Sequence, residues 1–138
     1  MMHHFLTGPP AKIHIKSGAV PYARHSPIPI LYHWKEAVKA SWDRDVERGV
    51  IAPVPIGTPV TWCSPMVVVA KADGTPRRTI DYQRLNAQCL RETHHTASPF
   101  QLASQAPANT KKSVIDAVDG FHSVDLHPDS RPLTTFIT

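Results

Sequence analysis

Four aspartates and a single base, Arg131, occupy residues 113–138: Asp116, Asp119, Asp125 and Asp129. The first three lie in the stretch VIDAVDGFHSVDL, Val114–Leu126, whose opening Val114, Ile115, Ala117 and Val118 read as a buried strand. A carboxylate inside such a strand is costly unless a cation or a set of N–H donors offsets its charge. Asp116 is therefore a candidate ligand for a divalent metal ion. The competing reading is a buried carboxylate bonded to backbone.

Positive charge is concentrated upstream. Residues 1–50 carry seven Lys and Arg against four Asp and Glu, and residues 51–112 carry seven against three. A basic body with an acidic tail suits contact with phosphates in one part and with cations in the other. A solvated surface with chance clustering would give the same totals. Lys71, Arg77 and Arg78 fall within SPMVVVAKADGTPRRTIDY, which reads as a β-hairpin. Val67–Val69 form one β-branched arm, Thr79–Tyr82 belong to the other, and Asp73-Gly74 supplies the turn. Basic groups on a hairpin, followed by an aspartate in a strand, form a coherent set for handling a nucleoside triphosphate. The bases neutralise phosphate charge, and the aspartate holds an ion that bridges phosphate oxygens.

The elements that must position these groups give an α+β chain. Pro9, Pro10, Pro21, Pro27 and Pro29 keep residues 1–32 extended. A helix is predicted over HWKEAVKASWDRDVERG, where Trp34, Val38, Trp42 and Val46 recur every four residues to give one apolar stripe. Gly49 ends it and Pro53 confirms the stop. QRLNAQCL reads as a short helical turn, and SPFQLASQ as a short helix with Ser98 as N-cap and Pro99 at its first position. HPDSRP reads as a turn and LTTFIT as a last strand, so the sequence stops inside a β-segment, as expected of a cut domain. Cys63 and Cys89 are too few for a disulfide framework, and the longest apolar run, Met66–Ala70, is far too short to span a membrane. An intracellular protein with no membrane segment is expected. Nine histidines, with Cys89 near His94-His95, match no common zinc spacing.

In this order the motifs are specific. GVIAPVPIGTPVTWCSPMVVVAKADGTPRRTIDYQRLN closely resembles the fingers region of reverse transcriptases from gypsy-type long-terminal-repeat retrotransposons. VIDAVDGFHSVDLHPDSRPLTTFIT resembles the first catalytic palm motif of that family and of retroviral reverse transcriptases. The resemblance runs from about Arg24 to Thr138. It implies an incomplete fingers and palm of a right-hand polymerase over residues 33–138, preceded by the extended segment 1–32. The later palm, the thumb and the RNase H domain are expected to be absent.

The resemblance also implies roles. Asp116 matches the first metal-binding catalytic aspartate. Main-chain amides at Asp119 and Gly120 match those that hold the triphosphate of the incoming nucleotide, which favours a small residue at Gly120. Phe121 matches the aromatic gate under the sugar. Lys71 and Arg77 match the fingers residues that grip the triphosphate. Arg77 is preferred to Arg78 by counting back from DY, and the two should lie on opposite faces of a strand. Asp81, Tyr82 and Asn86 belong to the box that supports the hairpin, with Tyr82 near the template. The Asp119 side chain is expected to pair with a base such as Lys71.

The implied parent reaction is that of an RNA-directed DNA polymerase, a nucleotidyltransferase. It joins a deoxynucleoside triphosphate (dNTP) to a primer 3′-hydroxyl with two Mg2+ ions. The implied partners are an RNA or DNA template-primer, the dNTP and the remainder of a retroelement polyprotein, in a cytoplasmic particle or the nucleus. One departure limits this. The family draws further carboxylates from a Tyr-x-Asp-Asp hairpin, and none of Tyr22, Tyr32 and Tyr82 begins that motif. A single carboxylate is a poor anchor for magnesium, so the chain is expected to be inactive alone. The alternatives are a pseudogene product, or a non-catalytic nucleic-acid-binding remnant using the hairpin, Arg84, Arg91, Lys111 and Lys112.

Overall fold

The computed structural model describes residues 6–138. A 3-10 turn over Tyr32–Trp34 leads into helix α1, Lys35–Glu47. The helix ends as the sequence requires. Gly49 takes a left-handed φ of 70°, and the carbonyl of Asp45 accepts the N–H of Val50 at 2.9 Å. Of the predicted stripe, Val38 is 2% exposed and Trp42 is half-buried, but Val46 faces solvent.

The hairpin forms from β1, Ser64–Ala70, and β2, Pro76–Ile80, paired antiparallel from Met66 opposite Ile80 to Ala70 opposite Pro76. The second arm thus lies slightly earlier than Thr79–Tyr82. Its turn is built by Asp73, whose Oδ1 accepts from the Thr75 N–H at 2.9 Å and the Thr75 hydroxyl at 2.6 Å, and by Gly74 at φ 79°. The Thr75 hydroxyl and N–H hold the Asp73 carboxyl below its usual range. After the hairpin come α2, Gln83–Gln88, and α3, Pro99–Ser104. Ser98 caps α3 through a reciprocal pair with Gln101.

The last strand, β3, is only Phe136–Ile137, parallel to β1, and the sheet order is β2-β1-β3. The longer strand expected over LTTFIT is corrected by a 3-10 segment, Pro128–Thr134. Pro128 and Pro132 remove N–H donors and fix φ there, which suits a tight helical turn and not a ladder. Among the described residues, Met66, Val38, Trp62, Cys63 and Leu85 are the buried apolar ones.

The extended N-terminal segment is stitched onto these elements. Ala11 bridges Leu126, Ile15 bridges Cys89 and Ala23 bridges Cys63. The Ile13 N–H donates to the hydroxyl of Ser130, which is fully buried. Among the described residues no helix is long and apolar enough to cross a membrane.

The buried strand expected at Val114–Val118 does not form. These residues have no regular structure, and Val114, Ile115 and Val118 are exposed. Their β-branched character suits a strand only where a neighbouring strand and a covering layer exist, and among the described residues the sheet stops at three strands. Asp116 is exposed as well, so water and not a buried partner carries its charge.

Candidate nucleotide-binding site

Strand alternation sorts the hairpin's side chains onto two faces. Met66, Val68, Arg78 and Ile80 share the inner face, because Met66 pairs with Ile80 and Val68 with Arg78. Val69 and its partner Arg77 share the outer face, and Lys71 continues the alternation one residue beyond β1. Lys71 and Arg77 are both exposed. They are held at the same end of the hairpin, where the Lys71 N–H donates to the Thr75 carbonyl at 2.8 Å.

Arg78 is committed elsewhere. Its Nη2 lies 2.7 Å from Oδ2 of Asp45, and its guanidinium carbon sits 3.8 Å from the centre of the Trp42 ring. Trp42 also packs on Phe136 of β3, with ring centres 4.8 Å apart. Asp45 and Trp42 are functional candidates that reading the sequence missed. A signal existed: Asp45 lies seven positions from the buried Val38 and three from Trp42, and so places a charge on the apolar face of α1.

The DYQRLN box ties the hairpin to α2. The Asp81 N–H donates to the Pro65 carbonyl at 3.0 Å, its carboxylate accepts from the Gln83 N–H at 3.0 Å, and the Asn86 N–H donates to the Tyr82 carbonyl at 2.8 Å. The Tyr82 hydroxyl donates to the carbonyl of Thr134 at 2.9 Å, and burial pushes its pKa up to about 12. That hydroxyl is thus engaged inside the protein. The Asn86 side chain is exposed.

The acidic motif forms a separate surface. Asp119 takes a left-handed φ of 51° and begins a 3-10 turn over Gly120–Ser123. A Cβ added at Gly120 would lie 3.3 Å from the Ala117 Cβ, a tight contact that a shift of a few tenths of an ångström in the exposed segment would relieve. Phe121 is 98% exposed and packs into no core. The expected pairing of Asp119 with Lys71 is corrected: among the described residues no ion pair joins them. The two surfaces sit on different elements, and the acidic one lies on an exposed segment tied to the N-terminal segment by backbone bonds only from Ser123 onward among the described residues. Asp116 can offer one carboxylate to a metal ion. Magnesium needs near-octahedral oxygen coordination, and among the described residues no three His, Cys, Asp or Glu gather as a ligand set. The residues present do not by themselves fit magnesium.

A three-stranded mixed sheet with a few short helices gives an α+β arrangement. Over its whole length the chain is similar to the Prototype Foamy Virus protease–reverse transcriptase, with a TM-score of 0.78 and 22% identity over 18% of that chain. It is also similar, with a TM-score of 0.76 and 20% identity, to a foamy viral protease–reverse transcriptase solved with double-stranded DNA, 23% of which it covers. In sequence, 93% of the chain is 31% identical over 131 residues to the Gag-Pol polyprotein of Woolly monkey sarcoma virus. The chain spans 7% of that polyprotein's length. No protein-family model matches it. The fold resembles that of part of the foamy viral protease–reverse transcriptases, and the sequence is similar to a stretch of retroviral Gag-Pol polyproteins.

Proposed function

We propose that the chain is the fingers and first palm motif of the reverse transcriptase of a gypsy-type long-terminal-repeat retroelement. Its part in DNA synthesis is to seat the incoming dNTP. The observation that carries this is the exposed pair Lys71 and Arg77 on one face of the hairpin, with Arg78 turned away onto Asp45. Two cations without an ion-pair partner among the described residues, at one end of a hairpin, neutralise phosphate oxygens, and Arg77 can donate two parallel N–H bonds. A left-handed residue leading into a 3-10 turn, as at Asp119–Gly120, is the kind of backbone that offers consecutive N–H groups to an anion. The exposed Phe121 ring is free to lie under a deoxyribose. Asp116 would serve as one magnesium ligand in a set completed by carboxylates other than those in residues 6–138. The template-primer and the remainder of the polyprotein would be its partners.

The 138-residue chain is tested by fluorescence anisotropy with a labelled dNTP, with Lys71→Ala and Arg77→Ala as variants. Binding that weakens in both supports the reading. Equal binding by wild type and both variants would remove its basis.

A second reading, nucleic-acid binding without catalysis, draws on Arg84, whose guanidinium lies 5.3 Å from the Tyr22 ring centre. A cation beside an aromatic ring is a common device for binding single strands.

A further inference from the structure

We infer that Asp45 and Trp42, on α1, are positioning residues that aim the nucleotide-gripping face of the hairpin, although neither belongs to that face. This rests on the proposed triphosphate role of Lys71 and Arg77. The Asp45 side chain is 12% exposed and that of Arg78 is 22% exposed, so solvent screens their 2.7 Å contact little. The guanidinium is held by two contacts: the Asp45 carboxylate at Nη2, and the Trp42 ring against one face at 3.8 Å. Trp42 is in turn seated on Phe136 of β3, which pairs with Ser64 of β1, so the contacts close a circuit from α1 through β2, β1 and β3. Arg77 immediately precedes Arg78 in β2. Holding Arg78 inward therefore holds Arg77 outward, because adjacent residues of a strand face opposite ways. Arg78 Nη1 and Trp42 Nε1 are both buried without a partner among the described residues. Orphaned donors make the arrangement expensive, and the ion pair with Asp45 keeps Arg78 in place against that cost.

The sign of one experiment separates positioning from plain electrostatics. Inorganic tripolyphosphate is titrated into the 138-residue chain, its Asp45→Asn and Asp45→Glu variants, and Lys71→Ala. Thermal unfolding of each is followed so that only folded protein is compared. Removing a negative charge should by Coulomb attraction alone strengthen binding of a polyanion. Positioning requires the opposite: Asp45→Asn should bind about fivefold more weakly, with Asp45→Glu recovering part of the loss. Amide hydrogen exchange of Val69 and Arg77 is measured in parallel without ligand and should speed up in Asp45→Asn but not in Lys71→Ala. If wild type and Lys71→Ala bind tripolyphosphate equally, the triphosphate reading fails while the exchange data still judge the clamp. Unchanged or tighter binding by folded Asp45→Asn, or unchanged hairpin exchange, would overturn the inference.

Discussion

Asp45 and Arg78, 33 residues apart in sequence, meet at 2.7 Å and are the ion pair that joins α1 to the hairpin. The pair decides which of two neighbouring arginines stays available. Arg78 is spent on the protein, and Arg77 is left to solvent.

A partly buried pair of this kind is expensive to break and cheap to replace. Asp45→Leu and Arg78→Met should each lower the unfolding free energy by about 3 kcal/mol, because each leaves its partner uncompensated. The double variant Asp45→Leu/Arg78→Met should return to within about 1 kcal/mol of wild type. Urea unfolding of the four proteins checks this, and additive losses would show that the two side chains act independently.

Tyr82 gives the chain an alkaline limit. Its folded pKa of about 12 lies above the ordinary value of 10, so between these values the folded state holds a proton that the unfolded state has released. Stability is therefore full below about pH 10 and falls as pH rises toward 12. Tyr82→Phe should be about 1 kcal/mol less stable at neutral pH, having lost the bond to Thr134, and should lack that extra alkaline slope. Denaturant titrations at pH 8, 10 and 11 make the comparison.

Much of the fold was legible because local signals agreed with the tertiary outcome. Asp73-Gly74 set the hairpin turn, Gly49 ended α1, and Ser98 with Pro99 began α3. The misreadings share a cause. Val114–Val118 has the composition of a buried strand, but composition does not say which neighbours cover it, and no strand among the described residues pairs with it. The commitment of Arg78 to α1 was hidden for the same reason, since it depends on a contact across 33 residues.

Phe121 should contribute almost nothing to folding. With 98% of its surface exposed, Phe121→Ala should change stability by less than about 0.5 kcal/mol. A loss of several kcal/mol in urea unfolding, on the scale of a core Phe→Ala change, would place the ring in a core and remove it as a candidate gate.

Among the described residues no three potential metal ligands gather at Asp116 or elsewhere, so the 138-residue polypeptide by itself should not extend a primer. Incubation with primed RNA, deoxynucleotides and magnesium or manganese, beside Asp116→Asn, should give no product from either. Extension by wild type that vanishes in Asp116→Asn would contradict this.

The most direct measurement is residue-resolved amide NMR of the 138-residue chain during titration with a deoxynucleoside triphosphate. The expected result is a saturable shift of the Val69, Lys71 and Arg77 signals, joined by Asp119 and Gly120, with little movement at Lys111 and Lys112. Shifts spread evenly over all exposed basic residues, or absent from the hairpin at saturation, would contradict a nucleotide-gripping hairpin.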